Sequence, residues 1–130
     1  MKRKETILVV EDDLSLRRLM TMALTDHSYH VLHANNGRDA QIVALQHRGP
    51  IHLLLTDIIL IGPMDGIDLA QELRRSRGEI PAVYTSGYPL SYPERLQWEG
   101  LFDFFLAKSF SPRQLLLKVE ACLTPNVVTA

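Results

Sequence analysis

Residues 7–13 read Ile7-Leu8-Val9-Val10-Glu11-Asp12-Asp13, a short apolar run followed directly by three carboxylates. An apolar run without polar alternation is typical of a strand that is buried on both faces of a parallel sheet. The carboxylates would then lie at the carboxyl end of that strand, which is the edge where open α/β sheets bind their ligands. The stretch therefore predicts the first strand of an α/β domain, with an acidic site at its end.

Three further apolar runs end in residues that carry chemistry. They are Asp57 after residues 51–56, Thr85 and Ser86 after residues 80–84, and Lys108 after residues 102–107. Because parallel strands end at one edge of a sheet, these groups are expected to converge with Glu11 and Asp12. No His or Cys follows these runs, so a zinc site is not expected. Carboxylates, a hydroxyl and an ammonium together suit a divalent cation and a phosphoryl group.

Between the apolar runs, apolar residues recur at the spacing of amphipathic helices. A short strand is expected at residues 30–34, and helices at residues 16–24, 38–47, 67–73, 91–99 and 112–123. Asp13 and Ser111 are predicted helix N-caps, and Pro112 is the first helical position of the last helix. Strands that alternate with helices imply a parallel sheet covered on both faces, with right-handed crossovers.

The composition favours one globular domain with its own core, because 46% of the 130 residues are hydrophobic and 22% are charged. The formal net charge of −1 argues against direct nucleic-acid binding, which needs a basic excess. The lone Cys122 cannot form an internal disulfide, which suits a reducing cytoplasm. No apolar run approaches the roughly 20 residues that cross a bilayer, so no membrane association is expected.

The acidic edge is expected to hold Mg²⁺, with one oxygen each from Asp12 and Asp57 and a third from the backbone carbonyl of Ile59. Asp57 is the predicted nucleophile, because a carboxylate can attack phosphorus and form an acyl phosphate. Lys108 and the metal would neutralise the charge, and Ser86 would donate a hydrogen bond to the new phosphoryl oxygens.

Taken in order, these motifs resemble the receiver domains of response regulators in two-component signalling. The resemblance spans residues 6–123 and rests on Ile7-Leu8-Val9-Val10-Glu11-Asp12-Asp13, Leu54-Leu55-Thr56-Asp57-Ile58, Met64-Asp65-Gly66, Val83-Tyr84-Thr85-Ser86-Gly87-Tyr88 and Phe105-Leu106-Ala107-Lys108. It implies an α/β fold of the flavodoxin-like kind, a doubly wound five-stranded parallel sheet of order 2-1-3-4-5 with five helices. Residues 1–124 would form the receiver domain and residues 125–130 a C-terminal tail.

The resemblance also implies how the acidic site works. Glu11 and Asp12 would be the acidic pair, with Asp12 a direct ligand of Mg²⁺ and Glu11 acting through water. Asp57 would take a phosphoryl group from a histidine kinase or a histidine phosphotransfer protein, as in a phosphorelay. Lys108 would pair with that phosphoryl group. Ile59 and Tyr88 would border the site, and their bulk would slow hydrolysis of the aspartyl phosphate.

The resemblance further implies a two-state switch. Ser86 would be the switch hydroxyl rather than Thr85, because it stands five residues after Pro81. Phosphorylation would draw Ser86 inward and let Phe105 fill the vacated space, which changes a surface that binds a partner. Such a protein would not be an enzyme beyond promoting its own phosphorylation and dephosphorylation. It would be a cytoplasmic monomer or a phosphorylation-dependent dimer.

Because few residues follow Leu123, no effector domain is expected in the chain. The chain would be a stand-alone receiver or one excised from a larger kinase. Its kinase and its downstream target stay open.

Two departures from the family pattern stand out. Ser109 follows Lys108 where the family usually has a proline in a cis peptide bond. The sequence does not decide whether the Lys108–Ser109 bond is cis or trans. A trans bond would be expected to displace Lys108. The loop from Asp57 to Gly66 is one residue longer than the commonest family form. The longer loop and the Thr-Ser-Gly-Tyr sequence at residues 85–88 resemble receivers attached to hybrid sensor kinases.

Three alternative functions compete with the phosphoacceptor. A receiver-like scaffold without phosphotransfer is favoured only by Ser109. A phosphohydrolase of the haloacid-dehalogenase type would need a second Asp two residues after the nucleophile, where this chain has Ile59. A flavodoxin-like FMN binder would need a phosphate-binding loop after the first strand, where this chain has carboxylates that repel phosphate.

Overall fold

A computed structural model of the chain describes residues 5–87 and 103–124. It contains five strands and, within those residues, four helices. The strands are β1 (Thr6–Val10), β2 (His30–Ala34), β3 (Leu53–Asp57), β4 (Ala82–Ser86) and β5 (Asp103–Ala107). The helices are α1 (Leu14–Asp26), α2 (Gly37–Gln46), α3 (Gly66–Arg77) and α4 (Pro112–Leu123). The predicted helix over residues 91–99 lies outside the described residues.

The sheet has the predicted topology. All paired strands are parallel, and their order is β2-β1-β3-β4-β5. This confirms the parallel sheet that the alternation of apolar runs and helical periodicity predicted, and the doubly wound strand order that the resemblance implied.

The predicted bounds of β3 and β4 were wrong by one or two residues at each end. Ile51 and Ile80 are buried and apolar, but both precede the residues that pair in the sheet. The pairing instead extends to Asp57 and Ser86, because Asp57 lies opposite Thr85 and Ser86 lies opposite Ala107. The two polar residues are therefore the last members of their strands, and the sheet itself fixes their backbones.

The core has two layers because the sheet buries both faces. On one face, Leu8 and Val10 of β1 pack with the apolar sides of α2 and α3. On the other face, Ile7 and Val9 pack with α1 and α4. Successive side chains of a strand point to opposite faces, so each apolar strand supplies both layers.

Each described helix begins at a side chain that caps its backbone N–H groups. The caps are Asp13 for α1, Asn36 for α2, Asp65 for α3 and Ser111 for α4, and those of α3 and α4 form reciprocal capping boxes. Predicted caps at Asp13 and Ser111 are thereby confirmed. The four helix starts follow strand ends, so they surround the edge at which the acidic residues lie. No helix in the described part of the chain is long and apolar enough to cross a membrane.

Candidate functional site

The carboxyl ends of β1 and β3 bring three carboxylates together. One oxygen from each of Glu11, Asp12 and Asp57 lies within 4.8 Å of the other two. Glu11 has no exposed surface and Asp57 is also buried, whereas Asp12 is exposed. These three carboxylates, called the acidic group below, therefore have two buried members and one member, Asp12, that faces solvent.

Local backbone contacts hold Asp57 in place. The N–H of Ile59 donates to Oδ1 of Asp57 at 3.2 Å, and the N–H of Ile58 donates to the carbonyl of Thr85 at 3.1 Å. The loop returns so closely that a Cβ on Gly66 would collide with the carbonyl oxygen of Asp57. Gly66 also donates its N–H to the carbonyl of Ile58 at 2.8 Å. The start of α3 thus packs directly against the end of β3, which leaves room only for glycine.

Glu11 is buried in a partly satisfied environment. Its Oε2 accepts the N–H of Asp13 at 3.0 Å, while Oε1 lies 3.5 Å from Nζ of Lys108 and accepts no hydrogen bond. The pKa of Glu11 is raised to about 7. Burial is the largest cause, and Asp12 and Asp57 act in the same direction, whereas the Asp13 N–H and the Lys108 charge lower the pKa. The site therefore carries more negative charge than it can neutralise, unless Glu11 takes a proton or a cation binds.

Lys108 reaches the same site from the end of β5. Its N–H donates to the carbonyl of Ser86 at 2.8 Å, and its Nζ lies 2.5 Å from Oδ2 of Asp57. Burial lowers the pKa of Lys108, but the hydrogen bond and the charges of Asp57 and Glu11 outweigh that effect and raise it. No peptide bond among the described residues is cis, so the Lys108–Ser109 bond is trans. The expected displacement of Lys108 is not found.

Ser86 and Phe105 lie on one face of the sheet. Tyr84 and Phe105 belong to the core layer beneath α2 and α3, and their ring centroids are 5.8 Å apart. Strand alternation places Ser86 on the face of Tyr84, and Thr85 on the opposite face, where it is fully buried. Only Ser86 of the two hydroxyls shares a face with the aromatic at position 105. Tyr88 lies outside the described residues.

Comparison with known proteins identifies the family. The sequence matches the response regulator receiver domain over residues 7–120. The chain belongs to the receiver family. It is 32% identical over 117 residues to the transcriptional regulatory protein SrrA of Staphylococcus aureus, an alignment that covers 90% of this chain and 47% of SrrA. The receiver thus spans about half the length of the curated relatives it matches.

Solved structures give the same picture. The receiver domain of the hybrid histidine kinase CckA is 30% identical, with a TM-score of 0.77 over 92% of this chain and 99% of that one. The chemotaxis response regulator CheY4 of Vibrio cholerae is 25% identical, with a TM-score of 0.78 over 93% of this chain and 100% of that one. The similarity to receivers therefore extends over nearly the whole chain, including one from a hybrid kinase.

The acidic group of this receiver fits the Mg²⁺ that receivers generally bind. The donors are oxygens only, as a hard divalent cation prefers. The buried Oε1 of Glu11 lacks a hydrogen bond, and burial, with the neighbouring Asp12 and Asp57, raises the pKa of Glu11. A cation or its bound water would satisfy that oxygen and favour the charged carboxylate. Each of Glu11, Asp12 and Asp57 offers one oxygen to such an ion, and the predicted direct ligation by Asp12 and Asp57 stays a prediction. The predicted role of the Ile59 carbonyl stays a prediction.

Sequence reasoning missed two residues that shape the receiver site. Gly66 was assigned to a loop, although it begins α3 against Asp57. The signal was available, because glycine is a poor helix former and its place at a helix start indicates a close backbone approach. Arg17 was not singled out, yet its Nη1 donates to the carbonyl of Glu11 at 2.8 Å. Nothing in the local sequence marks that contact.

Proposed function

We propose that this receiver takes a phosphoryl group from a histidine kinase or a histidine phosphotransfer protein onto Asp57, with Mg²⁺ bound at the acidic group. The observation that carries the proposal is the convergence of Asp57 with Glu11, Asp12 and the Lys108 ammonium. A single carboxylate at a strand end is common. A buried carboxylate that contacts both a metal-binding group and a fixed cation is what phosphoryl transfer to aspartate requires.

The chain's own residues account for each part of the transfer. A carboxylate oxygen of Asp57 forms a bond to phosphorus, while the bond from phosphorus to the donor's imidazole nitrogen breaks and its electron pair returns to the imidazole. Lys108 lies on Oδ2 of Asp57 and neutralises the charge gathering on the phosphoryl oxygens. Asp12, Asp57 and Glu11 would hold Mg²⁺, which supplies further charge neutralisation when bound.

The proposed output is a two-state switch at Ser86 and Phe105. Ser86 stands at the end of β4 on the same face as Phe105, and the Phe105 ring packs against Tyr84. A phosphoryl group on Asp57 would attract the Ser86 hydroxyl as a hydrogen-bond donor. Movement of Ser86 would open space for the Phe105 ring, and the partner-binding surface would change with it.

The rim of the site favours a protein as the phosphoryl donor. Three large apolar side chains that follow the acidic residues closely in sequence are exposed, namely Leu14 at the start of α1, Ile59 and Ile61, and the last two are 73% and 70% exposed. Clustered exposed apolar side chains are typical of protein-binding surfaces rather than of sites for small phosphate esters. Because histidine kinases draw on cytoplasmic ATP, the proposed function places the receiver in the cytoplasm.

A phosphohydrolase is the competing function, and one position disfavours it. Hydrolysis of soluble phosphate esters through an aspartyl intermediate would use a proton donor near the nucleophile, and Ile59 cannot provide one. The proposed activity is therefore limited to the receiver's own phosphorylation and dephosphorylation.

The test is incubation of the protein with Mg²⁺ and phosphoramidate, followed by intact mass measurement. We expect one phosphoryl group on the wild type, none on Asp57→Asn, and normal labelling of Asp39→Asn, which changes an exposed Asp on α2. An unlabelled wild type would favour the scaffold function. Multiple turnover of p-nitrophenyl phosphate would favour the phosphohydrolase.

A further inference from the structure

An open groove runs between α2 and α3, away from the acidic site. Its volume is about 760 Å³, and Ala44 and Leu73 line it together with Ile42 and Leu45 of α2. Leu73 is buried in the core, whereas Leu45 is 85% exposed. That is the greatest exposure of any large apolar side chain in residues 5–87 and 103–124. The face thus has a hollow with both apolar and polar lining, Gln41 and Ser76 among the polar residues, and an apolar side chain that projects beside it.

The sequence of α2 explains why Leu45 projects. The helix buries its small residues, with Ala40 and Ala44 against the sheet. Ile42 and Leu45 lie on the other side and are exposed. A single exposed leucine needs no explanation, but exposed apolar residues that border a groove indicate an interaction surface.

Charges of both signs stand on the two walls of the groove. Arg38 lines it from α2 and Glu72 lines it from α3, where Glu72 Oε1 lies 2.8 Å from Nη1 of the exposed Arg75. Arg77 also lines the groove, but its guanidinium donates to the carbonyls of Ala44, His47 and Gly49 at the end of α2. Arg77 is thus engaged in holding α2 to α3. Arg38 forms no ion pair within residues 5–87 and 103–124, whereas Glu72 uses Oε1 for Arg75 and keeps its other carboxylate oxygen for a further contact.

We infer that the α2–α3 face binds a second copy of this chain. The face contains both members of each complementary pair: Leu45 projects beside the hollow, and Arg38 and Glu72 line the groove from α2 and α3. A two-fold interface needs such self-complementarity, because each patch contacts its own equivalent. A basic or acidic partner of another kind would instead favour a face of one charge sign.

In the inferred dimer, Leu45 of each copy enters the groove of the other, and Arg38 of each copy meets Glu72 of the other. The face does not include Asp57, so this association goes beyond the phosphoacceptor function and is measurable without phosphorylation. Failure of either proposal therefore leaves the other standing.

The first experiment is sedimentation equilibrium of the full chain from micromolar to near-millimolar concentration. We expect the wild type to shift from monomer to dimer mass, and Leu45→Glu to stay monomeric. Leu117→Glu is the matched control, because Leu117 is an exposed leucine on α4. A wild type that stays monomeric throughout, or a loss of dimer that is equal in Leu117→Glu, would overturn the inference.

The second experiment uses charge reversal and does not depend on comparing folded stabilities. Each single variant, Arg38→Glu or Glu72→Arg, places like charges opposite one another in its homodimer. The dimer dissociation constant of each variant should therefore be about tenfold or more above that of the wild type. Mixed in equal amounts, the two variants form a heterodimer in which both contacts join opposite charges. We expect the mixture to dimerise like the wild type. A mixture that associates no better than its components would exclude the α2–α3 face.

Discussion

The Nζ of Lys108 lies 2.5 Å from Oδ2 of Asp57, although the residue that follows Lys108 is a serine and the intervening peptide bond is trans. The sheet explains why this contact is present despite the departure from the family pattern. Lys108 follows the last residue of β5, and its N–H donates to the carbonyl of Ser86. The position of the lysine is set by the strand before it rather than by the residue after it.

We therefore predict that Lys108 is required despite Ser109. Lys108→Ala should slow phosphorylation of Asp57 by about a hundredfold, because removing one preorganised charge-stabilising group costs that much in comparable sites. The rate of phosphoryl mass gain with phosphoramidate measures it. The control is Lys118→Ala, which removes a lysine from the next helix, α4. Wild-type labelling of Lys108→Ala would contradict the assigned role.

Affinity for Mg²⁺ should rise with pH through about 7. The pKa of Glu11 is raised to about 7, so protons compete with the cation below that value and no longer do so above it. Isothermal titration at several pH values measures the trend. Glu11→Gln should bind more weakly and should lose most of the pH dependence. An affinity that is flat across neutral pH in the wild type would mean that Glu11 takes no part.

The same group predicts how stability without metal changes with pH. The pKa of Glu11 is about 7 in the folded state and near 4.5 when unfolded, so the folded state binds the proton more tightly. Its stabilising contribution is full below about pH 4.5 and is lost as pH rises through 7; at about 1.4 kcal/mol per pKa unit the total is of the order of 3 kcal/mol. Thermal unfolding in EDTA should show this decline, and Glu11→Gln should lack it. Added Mg²⁺ should restore the most stability on the alkaline side.

Gly66 should tolerate no side chain. A methyl group at this position would collide with the Asp57 carbonyl oxygen, so Gly66→Ala must displace α3 or the end of β3. We expect a loss of about 2–3 kcal/mol in the free energy of unfolding, as for other overpacked sites, together with weaker Mg²⁺ binding. Urea denaturation measures the first effect. Gly87→Ala is the control, since a Cβ there meets nothing within 4 Å. Equal stability of the two variants would refute the collision.

The contrast between Gly66 and Asp57 shows which features the sequence could predict. Local signals mark Asp57, Asp13 and Ser111. Asp57 ends an apolar run, and Asp13 and Ser111 each precede a stretch with helical periodicity. The strand bounds were misplaced because Ile51 and Ile80 are as apolar as their paired neighbours, and burial does not distinguish pairing from packing. Gly66 and Arg17 act through contacts that exist only once distant segments have come together.

Replacing Ser28 with glycine should stabilise the folded protein. It is the non-glycine residue with positive φ, at 69°, among the described residues, and it joins α1 to β2. A left-handed conformation costs an L-residue roughly 1–2 kcal/mol, and the extra unfolded-state entropy of glycine offsets part of that. Ser28→Gly should gain about 0.5–1 kcal/mol in the free energy of unfolding. The same change at Ser15, within α1, should be destabilising, and a loss at both positions would argue against strain at Ser28.

The side chain of Ile59 should control how long the aspartyl phosphate survives. Ile59 stands two residues after Asp57, and its N–H donates a hydrogen bond to Oδ1 of Asp57. The side chain of Ile59 is 73% exposed. We expect that side chain to occupy space through which an attacking water would approach. Ile59→Ala keeps the backbone hydrogen bond but removes the bulk, so the phosphorylated form should decay several-fold faster, as followed by intact mass after removal of phosphoramidate. Ile61→Ala removes an equally exposed isoleucine from the same loop and should leave the lifetime unchanged. Equal decay of wild type and Ile59→Ala would show that water reaches Asp57 by another route.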